Sequence, residues 1–148
     1  MQQLSFANHS VRVLLATVLT ALGACGLSAC GTSSVSTNGY SGEQKAVAQR
    51  ISDFQSDATS IDQKKVCQED LAASVLAKLK TAGSDCEMAL KHQLEQIDIV
   101  ELKIHSITVS KKTASAVVES TWSGKTRKST LLLTKEGSAW KITGLGAA

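Results

Sequence analysis

The 148 residues allow one domain of ordinary size. Their formal charge of +3 is far from the basic excess that nucleic-acid binding requires, and lysines alternate with acids, as in Lys64-Lys65 before Glu69-Asp70. The absence of proline and an aromatic content of 3% exclude PxxP ligands, stiff linkers and stacking platforms for single-stranded nucleic acid or sugars.

The first 29 residues hold one charged residue, Arg12. A polar start ending in that charge leads into an apolar run, Val13 to Leu22, and then into small residues. This is the order of an export signal. The run is too short, and too interrupted by Gly23 and Gly26, for a membrane span of roughly 20 residues. Leu27-Ser28-Ala29-Cys30 follows, and it resembles the lipobox of bacterial lipoproteins. The resemblance implies cleavage between Ala29 and Cys30, a diacylglycerol on the Cys30 thiol, and a further acyl chain such as palmitate on the new amino terminus. At about 0.8 kcal/mol per buried CH₂, two or more chains anchor stably where one does not. Leu22-Gly23-Ala24-Cys25 is a rival site, but Cys30 matches better and leaves a fuller apolar run upstream. Residues 31–42 are rich in Ser, Thr and Gly, carry no charge, and read with Cys30 as a lipidated flexible tether over 30–42.

Removing the signal leaves Cys67 and Cys86 besides the lipidated cysteine. In an extracytoplasmic compartment the favoured reading is a disulfide. It would close a loop of about 20 residues and contribute roughly 3 kcal/mol. Zinc would need two further ligands, and only His92 and His105 are on offer, without ligand spacing. A reactive thiol would need a neighbouring base.

From Gly42 the pattern is helical, with Val47, Ile51, Phe54, Ala58 and Ile61 on one face. A second helix fits 68–81, with Leu71, Val75, Leu76 and Leu79 on one side and a stop at Ala82-Gly83. Ser84-Asp85-Cys86-Glu87 reads as a capping box opening a third helix, whose stripe is Leu90, Leu94 and Ile97. The period then drops to two. Val100, Leu102 and Ile104 alternate, the phase slips at His105-Ser106 as at a β-bulge, and Ile107 and Val109 resume. Turns at 110–113, 123–125 and 135–138 divide the remainder into strands holding Ala114, Ala116, Val118 and Trp122, then Leu131-Leu132-Leu133, then Ala139 to Leu145. The leucine run reads as buried on both sides or nearly so. Helices followed by an antiparallel meander predict an α+β domain with helices packed in the concave face of a curved four-stranded sheet.

The whole order over 43–145 resembles the NTF2-like (cystatin-like, SnoaL-like) superfamily, in the form carried by actinobacterial envelope lipoproteins. The residues that carry the likeness are the N-terminal amphipathic helix, the helical segment bracketed by Cys67 and Cys86, and the closing stretch Leu131-Leu132-Leu133-Thr134-Lys135-Glu136-Gly137-Ser138-Ala139-Trp140-Lys141-Ile142. The resemblance implies a cone-shaped domain over 43–148. The strand content between the first helices is shorter than in the larger enzymes of the superfamily, which argues against a deep substrate pocket.

An enzyme on this fold would place an acidic base and a proton donor inside the cone, with Asp98, Glu101, His105 or Glu119 as candidates. Asp98 sits at a helix-to-strand junction, where caps are common. Glu101 and Glu119 fall on outward positions of their strands, and His92 lies opposite Leu90 and Leu94. Only the bulge could re-aim His105. Trp122 and Trp140, with His105, are the candidates for lining a pocket, although both tryptophans fit a core role. No nucleophile elbow, P-loop, dinucleotide fingerprint or metal spacing occurs, so no cofactor is expected. The expected protein is a non-catalytic cell-envelope lipoprotein, held outside the cytoplasm by its lipid, that binds a partner protein or a small apolar ligand. The alternatives are a SnoaL-like isomerase or cyclase and a self-associating structural module, such as a homodimer formed through the sheet. In a Gram-negative cell, Gly31 after the lipid cysteine favours the outer membrane by analogy.

Overall fold

A computed structural model of the chain describes residues 35–95, 101–122 and 124–146. The expected signal peptide, Ala29, Cys30, the rival Cys25, Ile97, Asp98, Val100, and the side chains of His92 and Trp122 lie outside the described residues.

Helix α1 spans Gly42–Thr59. Val47, Ala48, Ile51 and Ala58 are buried along one face, as spacings of three and four require. Ile61 does not belong to that face. The helix ends two residues earlier, and Ile61 is 41% exposed with a positive φ of 57°. The second expected helix, over 68–81, is also broken. A short α2, Gln63–Lys65, runs into a π-helical turn, Val66–Asp70, and α3 begins only at Ala73, ending at Thr81. Leu71 is extended because it forms a parallel bridge to Ile142, with the Ala72 N–H donating to the Ile142 carbonyl at 2.8 Å. That tertiary contact outweighs the local helical preference of 68–72. The expected stop holds. Gly83 takes a φ of 74°, and the Ser84 N–H reaches back to the Leu79 carbonyl at 3.0 Å. Helix α4 spans Cys86–Leu94 and is capped by Asp85, not Ser84: the Asp85 carboxylate accepts from the Glu87 and Met88 N–H groups.

The sheet is a four-stranded antiparallel meander in the order β1-β2-β3-β4, with β1 Glu101–Ser110, β2 Thr113–Trp122, β3 Lys125–Glu136 and β4 Ala139–Gly146. The β1–β2 register slips between Ile104 and Ser106, at the position where the apolar phase slips in the sequence. A second slip faces Leu132 and Leu133 and leaves Thr143 as the extra residue. One sheet face carries Ile107, Ala114, Ala116, Val118, Leu131, Leu133 and Ile142, which form a single core with Val47, Ala48 and Ile51 of α1. Among the described residues no helix packs on the other face. Leu132 is therefore 39% exposed rather than buried on both sides, because its neighbours Leu131 and Leu133 take the covered face. A second, smaller cluster of Ala58, Val66 and Leu94 joins α1 to the π turn and α4. Cys67 and Cys86 are joined in a disulfide with a Cα–Cα distance of 6.1 Å, which ties the π turn to the first residue of α4.

The packed chain begins earlier than residue 43. Val35 is 4% exposed and belongs to the main core cluster, and Tyr40 packs against it. The second half of the expected tether is thus part of the domain. An isolated valine and tyrosine among polar residues carry no periodicity, so the sequence pattern alone does not reveal their burial.

Candidate functional site

Strand β1 is an edge strand, and helix α1 lies beside it. Two glutamines of α1 satisfy backbone groups of that strand. Gln55 Oε1 accepts from the Leu102 N–H at 2.9 Å, and Gln44 Nε2 donates to the Ile107 carbonyl at 2.9 Å. They are eleven residues apart, three helical turns, so they project from one side of α1. Pairing strand groups with helix side chains in this way blunts an edge that would otherwise recruit another strand.

Next to this edge lies a groove of about 480 Å³. One wall is the entry segment, through Ser36, Asn38 and Tyr40, and the other is the first half of β1, Glu101 to Ile104. Gln55 lies at its side, and Glu119 and Thr121 of β2 complete the lining. The groove combines an aromatic ring, two aliphatic side chains, two carboxylates and one ammonium group. It is therefore suited to polar and charged contacts along an extended surface.

Among the other expected site residues, His105 does not line the groove. The bulge keeps it on the open sheet face, with its Nε2 3.3 Å from Glu119 Oε2 and its side chain 33% exposed. Glu101 lies at the groove on the exposed first position of β1. Trp140 is a core residue, 2% exposed, rather than a pocket wall. Its Nε1–H donates to Glu43 Oε2 at 2.8 Å, and Glu43 Oε1 accepts from Lys135 Nζ at 2.6 Å. Lys135 and Trp140 hold the Glu43 carboxyl below its usual range.

The sequence gives no sign of the other charged constellation. Asp70, the last residue of the π turn, is wholly buried. Its Oδ1 accepts from Arg50 Nη1 at 2.7 Å, while its Oδ2 has no hydrogen-bond partner. Burial pushes the carboxyl up to about 6 against the pull of Arg50, and the nearby Asp57 and Asp53 raise it further. Lys65 offsets Asp57 from 3.6 Å. Lys141 donates to the carbonyls of Gln68 and Glu69, so the same turn is held from β4 as well. Among the described residues no group of three or more His, Cys, Asp or Glu side chains is placed to hold a metal, and no helix is long and apolar enough to cross a membrane.

No protein-family model matches this sequence, and neither does any curated protein. Among solved structures, a Campylobacter jejuni protein provisionally called an NTF2-like transpeptidase aligns with a TM-score of 0.44 and 16% identity, over 65% of this chain and 95% of its own. Similarity at that level is too low to carry an inference. The structure defines an α+β domain, with α1 packed on one face of an open four-stranded antiparallel meander.

Proposed function

We propose that this chain is a lipid-anchored, extracytoplasmic lipoprotein without catalytic activity, and that its groove beside β1 receives a segment of a partner protein. The address rests on Leu27-Ser28-Ala29-Cys30 following an export signal. The Cys67–Cys86 disulfide is the observation that supports it from within the domain, because such bonds persist in oxidising compartments and are rare in the cytosol. The order of helices, disulfide-bracketed segment and meander is the one the NTF2-like resemblance implies.

The choice of ligand follows from the groove. Small apolar ligands favour concave sites that enclose most of their surface. This groove is instead a cleft along a strand edge, with Glu101, Lys103 and Glu119 at its walls. A polypeptide segment with its own charges and backbone groups meets that surface better. His105 pairs with Glu119, which lines the groove although His105 does not, and the non-catalytic reading rests on the sequence, which carries no recognised catalytic motif.

The test places a photo-crosslinking residue at Lys103 in the full-length chain, produced in bacteria, and a control at Lys78 on α3. A discrete protein adduct from position 103, absent from position 78, supports the reading. A small apolar molecule recovered from the purified protein, with no adduct at 103, contradicts it.

A further inference from the structure

The burial of Val35 fixes more than the start of the domain. Only residues 31–34 separate it from Cys30. A chain spans at most about 3.6 Å per residue, so Val35 lies within about 18 Å of the cysteine's Cα whatever path the connection takes. If Cys30 carries lipid, the domain sits against the membrane surface and does not range freely above it.

The structure also identifies the end of the domain at which the chain enters. Ser36, Asn38 and Tyr40 share their groove with Glu101 to Ile104 and with Thr121. Glu101 pairs with Thr121, and Thr121 pairs with Thr126, so this is the end of the sheet that carries the β2–β3 hairpin. The hairpin is basic. Lys125, Arg127 and Lys128 are exposed, they make no ion pair among the described residues, and no acid occurs in sequence between Glu119 and Glu136. Among the described residues β3 pairs with β4 from Glu136 to Thr130, and Lys125 to Ser129 form the hairpin arm of β3. A hollow along that arm is lined by the three cations, Ser120, Thr126, Ser129 and the 71% exposed Leu145. Among the described sheet residues, two acids lie near this end. Glu119 faces Lys128 in register and is engaged by His105, and Glu101 opens β1.

We propose that the Lys125-Arg127-Lys128 arm docks on anionic phospholipid headgroups and sets the orientation of the domain on the membrane. The inference rests on the anchor proposed above. The short connection brings the hairpin end near the bilayer, and electrostatic attraction acts over a Debye length of about 8 Å at physiological salt. Each Lys or Arg near an anionic surface strengthens association by about fivefold, so three together suffice to bias a domain that is already tethered. The groove beside β1 would then open close to the membrane plane, and the partner segment would be one presented there.

The test uses the full-length chain, matured in a bacterial host, purified with its lipid and inserted into vesicles. One set contains phosphatidylglycerol mixed with phosphatidylcholine, the other phosphatidylcholine alone. Lysine acetylation rates are read by mass spectrometry. Lys125 and Lys128 are expected to react about fivefold or more slowly on the anionic vesicles, while Lys78 and Lys80 of α3 react equally on both. The protection should disappear in Arg127→Glu and at 1 M salt, where the Debye length falls to about 3 Å, although the lipid keeps the protein on the vesicle. Equal labelling of Lys125 and Lys128 on both vesicle types, in protein whose mass includes the lipid, overturns the docking and leaves the anchor intact. A mass without lipid overturns the anchor, and the docking with it, before any labelling is done.

Discussion

The Arg50 guanidinium donates to one oxygen of the buried Asp70 carboxylate at 2.7 Å and leaves the other oxygen without a partner. One hydrogen bond does not offset the removal of a charge from water, so the carboxyl titrates near 6 instead of 3.8. The folded state therefore binds this proton more tightly than the unfolded state. By linkage, the contribution of Asp70 to stability is fully present below about pH 4 and is lost as pH rises through 6. Thermal melts of the wild type and Asp70→Asn across pH 4 to 7 should differ most in this window, with the step attributable to Asp70 missing from the variant. Asp70→Ala leaves Arg50 with only its longer 3.9 Å contact to Asp53 among the described residues, and should cost about 1–3 kcal/mol at neutral pH.

The disulfide ties the π turn to α4, two elements that also meet through the small cluster of Ala58, Val66 and Leu94. Cys67→Ser combined with Cys86→Ser is expected to lower stability by about 3 kcal/mol. The loss should appear as a reduced urea midpoint, and reductant should impose it on the wild type but not on the variant.

The two glutamines that cap β1 make a separate prediction. Gln55→Ala removes the acceptor of the Leu102 N–H and should cost about 1–2 kcal/mol. Hydrogen exchange at the Leu102 amide should quicken, and exchange at Ile142 on the far edge strand should follow only the global loss.

Val35 joins the entry segment to the main core. Val35→Ala should destabilise the domain by about 1–2 kcal/mol. It should also expose residues 35–40 to proteases at a rate that the wild type does not show. Cleavage there with unchanged speed in both proteins would mean that the entry segment is not held by this contact.

Much of the sheet was legible in the sequence because alternation and turn chemistry are local. The slip at His105-Ser106, the turns near Lys111, Gly124 and Gly137, and the inward set Ala114, Ala116 and Val118 all appear where the pattern places them. The pairing of Cys67 with Cys86 followed from counting the cysteines left once Cys25 and Cys30 are assigned to the expected signal and lipobox. What local pattern did not reveal depends on contacts made across the chain. Leu71 leaves its helix for Ile142, and Val35 is buried by residues far along the sequence. Asp70 reads as a surface acid beside Glu69 until the π turn rotates it inward towards Arg50. The groove was missed for a related reason: Tyr40 and Ser36 stand in a stretch that reads as a tether, and only the folded chain sets them opposite Glu101 and Lys103.

The measurement that bears most directly on the account is the intact mass of the full-length chain matured in a bacterial host, beside Cys30→Ala, with and without reductant. The expected mass is that of residues 30–148 with a diacylglycerol and any added acyl chain, two hydrogens below the reduced value, and the lipid should be absent from Cys30→Ala. An unlipidated wild type, or lipid retained in Cys30→Ala, would contradict the anchor at Cys30 and the membrane placement built on it.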